Sequence, residues 1–389
     1  MAGKTSAERE ALDSQNRRIM AVFTRAGFDF IAPDIIQPAD MFLESSGENI
    51  RSRTYVFNDP SGAELCLRPD LTVPACRYHL SHAQDLNAEA RYCYSGPAFR
   101  FSAQLDARLN PSEFDQAGIE WFSAAEPVAA EAEILNLALK AVAAAGLKDY
   151  HVRTGDLGLF RALLLSIAMP ERWRRRLLRQ FWRPRPFREL LDLLTGEREK
   201  SRSSISPQVD AVATLDERAA LAYVESQLVS AAIPLTGGRR PEEIASRLLE
   251  KAQDRSEKRL SSEARQRIDD YLAIQCSLAE APPCLQPSVR DAPEFGAALD
   301  LFSLRLRELK RRRIDLAGAS FSAVFGRSLE YYTGFVFEVE ANIAGATVPV
   351  AGGGRYDSMM SDIGAPVPVT AVGCAIHTER LLAAVRGRA

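Results

Sequence analysis

Residues Arg91–Phe122 read RYCYSGPAFRFSAQLDARLNPSEFDQAGIEWF, and the fold turns on them. The run opens with aromatic residues at alternate positions, Tyr92 and Tyr94, passes Gly96-Pro97 and reaches Phe99-Arg100-Phe101. After a polar loop the chain returns as Glu113–Phe122, again with an apolar residue at every second position. Such alternation predicts two half-buried antiparallel strands joined by a long loop. Arg100, Arg108, Gln116 and Glu120 lie on or between them. A charge on a half-buried strand is costly unless paired, so these residues face one another or a ligand.

Upstream, Ala7–Ala26 has the spacing of a helix with Leu12, Ile19, Met20 and Phe23 on one face, and Gly27 stops it. Phe28–Ile31 is a short strand. Thr54–Phe57 and Glu64–Leu67 flank Asn58-Asp59-Pro60-Ser61-Gly62 as a hairpin. Arg68-Pro69-Asp70-Leu71-Thr72 then leads into a helix over Val73–Leu80, with Pro69 holding Arg68 extended. Asp70 is placed either to cap that helix or to meet a ligand.

Downstream, Ala129–Ala145 is an Ala/Leu-rich helix closed by Gly146, and Tyr150–Arg153 a strand followed by a turn at 154–158. From 161 to 286 the pattern is mostly helical with no good alternating strand, which predicts a helical insertion between two halves of a mixed sheet, 1–160 and 287–389. Within it Arg172–Arg188 holds eight arginines interleaved with Trp173, Phe181 and Trp182. That run fits a nucleic-acid patch, or a solvated helix face or protein interface. Pro184 and Pro186 confine helix to its first half. Glu294–Arg312 is a helix, Phe321–Phe325 and Gly334–Glu340 are strands, and Val348–Ala351 leads to Gly352-Gly353-Gly354-Arg355-Tyr356-Asp357. Three glycines there suit a tight turn or a phosphate cradle. Val369–Ile376 and Thr378–Arg386 close the chain as strand and helix.

Composition excludes several classes of function. At 389 residues, 46% hydrophobic and 26% charged with a net charge of -2, the chain has no global pull toward polyanions. No apolar run is long enough to span a bilayer, and the polar N-terminus MAGKTSAERE is no signal peptide. Six cysteines without a CxxC pair predict buried free thiols and a cytoplasmic protein. His79 and His82, at i, i+3 spacing with no further ligand nearby, predict a surface pair rather than a metal site.

What remains is a set of polar residues on strands: Asp70, Thr72, Arg100, Gln116, Glu120, Arg327 and Tyr332. Carboxylates, an amide and arginines converging on one sheet face suit a zwitterion. Four blocks resemble, in order, the class II aminoacyl-tRNA synthetase catalytic fold and specifically the histidyl-tRNA synthetase family. They are Thr54–Arg77, Tyr94–Glu120, Gly326–Glu338 (GRSLEYYTGFVFE) and Gly353–Leu381. The resemblance implies an α+β fold, a mixed, mostly antiparallel sheet flanked by helices. It also implies a histidine pocket. Asp70, Thr72 and Gln116 would address the α-amino group and Arg100 the carboxylate. Glu120, Arg327, Tyr331 and Tyr332 would line the side-chain end.

The chain also departs from the family. Only nine residues follow Arg380, so no C-terminal anticodon-binding domain is expected. Ser102 and Ala103 replace the adenine-reading glutamate and its neighbouring arginine, and His377 replaces a glycine. Asp70 and Glu330 exchange one acid for another. Arg108 and Arg380 persist as a vestigial nucleotide site. A synthetase core so altered is similar to the regulatory subunits of ATP phosphoribosyltransferases. That likeness implies a short-form catalytic subunit as partner and L-histidine as effector. It further implies a homodimer within a hetero-oligomer, no phosphoribosyl transfer by this chain, and no metal, cofactor, membrane or nucleic acid. A truncated enzyme that adenylates histidine is the alternative, and a nucleic-acid-binding paralogue acting through Arg172–Arg188 a further one.

Overall fold

The computed structural model describes residues 3–45, 52–101, 111–197, 207–231, 240–290, 292–326 and 331–387. They form two compact units: Met1–Ser166 with Asp270–Ala389, and Ile167–Asp269.

The first unit is built on a nine-stranded sheet. In chain order its strands are β1 (Asp29–Phe30), β5 (Ala90–Phe99), β6 (Glu113–Phe122), β7 (His151–Asp156), β8 (Gln275–Ser277), β9 (Ser320–Ser322), β10 (Phe335–Ile343), β11 (Ala346–Arg355) and β12 (Ala371–His377). They lie in the order β1-β5-β6-β12-β11-β10-β7-β9-β8. All pairings are antiparallel except β1 with β5 and β7 with β9. A smaller sheet, β2-β4-β3, comprises β2 (Ile36–Pro38), β3 (Tyr55–Asn58) and β4 (Glu64–Leu67). The α+β fold class is therefore as expected.

Helices Ser6–Arg25, Pro127–Ala145, Pro293–Arg311 and Thr378–Arg386 pack on this unit. The first starts where Thr5 and Glu8 exchange hydrogen bonds in a capping box, and buries Leu12, Ile19 and Phe23. Pro127–Ala145 begins on a proline, whose missing N–H is no loss there, and ends at Gly146 with φ +108°. Most of its alanines and leucines are buried, because it lies against other helices and against β11 and β12. Among the described residues no helix is long and apolar enough to cross a membrane.

The second unit is helical, with Glu171–Gln180, Pro184–Thr195, Pro207–Val212, Glu217–Ser230 and Pro241–Ser256 as its main elements. Four of the eight arginines of the run form ion pairs inside it. Arg172 pairs with Asp254 at 2.8 Å and Glu257 at 2.6 Å, Arg174 with Glu171, Arg175 with Glu250, and Arg176 with Asp254. Trp173 is buried, and its Nε1 donates to the same Asp254. Arg183 lies over Trp182 at 4.3 Å.

Several expectations are corrected. The glycine run is neither a turn nor a cradle; β11 runs straight through it. A Cβ on Gly353 would sit 2.2 Å from Gly373 O, and one on Gly354 2.3 Å from Phe335 O. Gly353 and Gly354 are demanded by close strand approach, and Gly352 lines the cleft described below. β7 continues to Asp156, which caps helix Leu157–Leu165 directly, so no turn intervenes. Pro184 opens a second helix instead of ending the first, since proline suits a first turn. β8 lies inside the stretch read as mostly helical with no good strand. His79 is fully buried, stacked on Phe122 at 4.5 Å and bonded to the Tyr92 hydroxyl at 3.2 Å; only His82 is a surface residue. The six cysteines are free, but Cys284 is exposed and Cys276 half-buried.

Candidate functional site

The first unit contains an open cleft enclosing about 590 Å³, mouth included. β6 supplies its deepest polar residues. Gln116, Gly118 and Glu120 share one face by strand alternation, while Ala117 and Ile119 fall on the other. Behind the cleft, on β5, Tyr94 pairs with Gly118 and points its hydroxyl at Glu120 Oε1, 2.8 Å away. The turn before helix Thr72–His82 adds Asp70 and Thr72. Tyr331, Tyr332 and Tyr356 close one side, and Arg100, His377 and Arg380 the other.

Of the eight residues assigned to a histidine pocket, seven line this one cleft: Asp70, Thr72, Arg100, Gln116, Glu120, Tyr331 and Tyr332. Arg380 of the vestigial nucleotide pair lines it as well. Arg327 and Arg108 lie outside the described residues, as do Ser102, Ala103 and Glu330.

Each wall residue is fixed by its own contacts. Asp70 Oδ1 accepts from Val73 N at 3.3 Å, so helix cap and cleft wall are the same carboxylate. Gln116 Oε1 accepts from Leu71 N at 3.2 Å, which pins the turn to β6. Arg100 Nε donates to Pro69 O at 2.7 Å, and Arg380 Nη1 to Pro349 O at 3.1 Å.

Glu120 accepts from Tyr94 and from Tyr356. Burial pushes its carboxyl up to about 7, and Asp70 adds to that, against the tyrosine and Thr72 hydrogen bonds that favour the ionised form. Burial also holds both tyrosines well above their ordinary value, so they remain donors. The backbone beneath is glycine by necessity: a Cβ on Gly118 would meet Tyr94 Oη at 2.5 Å, and one on Gly373 would fall 1.6 Å from Glu120 Oε2.

At the other end His377 stacks on Phe114 with ring centroids 4.5 Å apart. Burial, then the charges of Arg380 and Arg100, lowers its pKa far below the usual imidazole range, so the ring is neutral despite Glu379 at 3.7 Å. The cleft therefore has an acidic, tyrosine-framed end and a basic end walled by a flat neutral ring.

Reasoning from sequence missed Tyr356 and Gly373 as cleft residues, and Tyr94 as the donor that holds Glu120 from behind. Tyr94 had a signal, its alternation with Tyr92. Tyr356 follows four small or basic residues and reads as core.

A model of the histidyl-tRNA synthetase family matches residues 5–236 and 243–381. An ATP phosphoribosyltransferase regulatory subunit of Chelativorans sp. (strain BNC1) is 36% identical over 357 residues, 91% of this chain and 92% of that protein. One of Brucella canis is 36% identical over 353 residues, 90% and 91% of the two chains. The chain belongs to the ATP phosphoribosyltransferase regulatory subunit family. Among solved structures, this family member resembles an ATP phosphoribosyltransferase regulatory subunit/histidyl-tRNA synthetase from Bacillus halodurans. Their TM-score is 0.70 at 20% identity, over 99% of this chain and 82% of the other. A histidine–tRNA ligase subunit from Alicyclobacillus acidocaldarius gives 0.60 at 22% identity, over 100% and 96%. Identities that low bear on fold alone, and the fold they share is the class II synthetase-like α+β sheet.

Proposed function

We propose that this regulatory-family chain senses L-histidine in the cleft and conveys its presence to a short-form ATP phosphoribosyltransferase catalytic subunit, at the first step of histidine biosynthesis. The chain itself transfers no phosphoribosyl group. The observation that carries the reading is the joint placement of Glu120, Asp70, Gln116 and Arg100 around one open cleft. A carboxylate ligand group meets Arg100, and an ammonium group meets Asp70 and the Thr72 hydroxyl. The ligand imidazole reaches the end where Glu120 is framed by Tyr94 and Tyr356 and flanked by Tyr331 and Tyr332. A preformed pocket becomes a sensor when its occupied and empty states differ in affinity for a partner. The reading places the chain in the cytoplasm, as a homodimer within a hetero-oligomer, with no cofactor or metal, and divides it as a synthetase-like core interrupted by a helical insertion.

Titration calorimetry of the purified chain with L-histidine and then ATP tests this. Histidine binding without ATP binding is expected; silence toward histidine, alone and with the catalytic subunit present, overturns it.

One observation favours a second reading, adenylation of histidine: Arg100 and Arg380 both remain at the basic end. Against it stands His377, whose ring occupies wall space beside them. Histidine-dependent exchange of pyrophosphate into ATP decides between the two.

A further inference from the structure

Behind the segment that carries Tyr331 and Tyr332 lies a buried charge cluster that the reading above leaves unused. Glu131, wholly buried on helix Pro127–Ala145, accepts from Arg305 Nε with one oxygen and from Arg355 Nε with the other. Arg305 Nη1 also donates to Asp156 Oδ2 at 2.6 Å, and Asp156 Oδ1 accepts from Gly158 N at 2.8 Å. Arg355 Nη1 reaches Asp357 Oδ2 at 3.2 Å. The cluster thus spans helices Pro127–Ala145 and Pro293–Arg311, β7 and the end of β11.

The cleft segment is fastened to the same groups. Thr333 N donates to Arg355 O at 2.9 Å, and Asp357 N donates to Thr333 Oγ1 at 3.1 Å. Leu157 N, next to Asp156, donates to Gly334 O at 3.0 Å. Gly334 also seats the arginine: a Cβ there would lie 3.1 Å from Arg355 Cδ. Arg355 therefore bears on the segment with its carbonyl and its aliphatic stem, while Glu131 fixes its guanidinium. A guanidinium held by two carboxylates is set in direction as well as distance. None of Glu131, Arg305 and Asp156 lines the cleft.

We propose that Glu131 and Arg305 are positioning residues for the ligand cleft: acting through Arg355, they hold Tyr331–Gly334 in the place from which Tyr331 and Tyr332 line it. The proposal rests on the cleft being a ligand site and adds how its tyrosine wall is held from behind.

The test uses the full chain, its Glu131→Gln variant and its Arg305→Lys variant, which keeps the charge but loses the fork. Amide hydrogen exchange is followed without ligand, and L-histidine affinity by calorimetry. Exchange at Thr333 and Gly334 is expected to rise at least tenfold in Glu131→Gln. Amides of β5 and β6 should keep their protection and the melting temperature should stay within a few degrees. Histidine affinity falls at least tenfold, and Arg305→Lys gives an intermediate loss. Unchanged exchange at Thr333 and Gly334, or a rise shared by every strand, overturns the proposal. So does failure of both variants to fold, which would make the cluster purely structural. If the parent chain ignores histidine, the ligand reading falls, while the exchange data still decide whether the cluster holds the segment.

Discussion

Glu120 is a carboxyl kept out of water between two tyrosine hydroxyls, and two outcomes follow. Its folded pKa of about 7 lies above the ordinary carboxyl range. Between those values the folded state binds more protons than the unfolded one, so stability falls as pH rises from about 4.5 to about 7. The loss is on the order of 3 kcal/mol at most. Glu120→Gln removes it, so the variant should be the more stable protein above pH 7 while losing histidine affinity at least a hundredfold; urea unfolding at pH 5 and pH 8 and calorimetry check both. Histidine affinity of the parent should also be bell-shaped. In the proposed complex one proton would be shared between imidazole and Glu120. Below about 6.5 both free partners are protonated and binding must release a proton; above about 7 neither is, and binding must take one up. The maximum lies between, and a flat profile from pH 5.5 to 8.5 would remove Glu120 from the contact. Gln116 and Glu120 were legible as cleft residues because polar groups on an alternating strand need a reason to be there. His79 was not, since i, i+3 spacing says that two residues share a helix face and not which side that face is on.

The strands around β11 show the same contrast one level up. The central hairpin β5–β6 is plain in the alternation of its residues, and the helix ends in their capping residues. The run Gly352–Gly354 was not, because glycine serves turns, cradles and tightly spaced strands alike, and only the neighbours distinguish them. With Gly373 O 2.2 Å from where a Cβ would be, Gly353→Ala should cost about 3 kcal/mol. A melting temperature within a degree of the parent's would mean that β11 and β12 can separate freely. In the helical unit, Arg172→Ala leaves Asp254 and Glu257 short of a partner, and a loss of roughly 1–2 kcal/mol is expected by denaturant titration. The arginine run stayed open between readings because sequence shows the cations and not the distant Asp254, Glu257 and Glu250 that meet some of them.

For the assembly, the cleft and its partner interface should separate experimentally. Gln116→Ala removes the acceptor that ties Leu71 to β6. It should still assemble with the short catalytic subunit, while the histidine concentration giving half inhibition rises at least tenfold. An enzyme assay of the reconstituted complex measures this, and unchanged sensitivity would place the sensor elsewhere. The order of blocks along the chain made the sheet and its cleft readable. The docking face was not readable, since an interface is written by two surfaces and periodicity describes one.

Gly118 and Gly373 also constrain the route by which such a cleft can decay over generations. A side chain at either position collides with Tyr94 or Glu120 and also with the backbone: a Cβ on Gly118 would lie 2.6 Å from Cys374 O, and one on Gly373 2.6 Å from Ile119 O. A lineage that abandons its ligand can therefore give up the large residue, but it cannot fill the glycine afterwards. Gly373→Ala should be poorly tolerated alone and still so after Glu120→Ala. Loss of the site thus has a direction: the carboxylate can go, and the glycine stays behind as its trace.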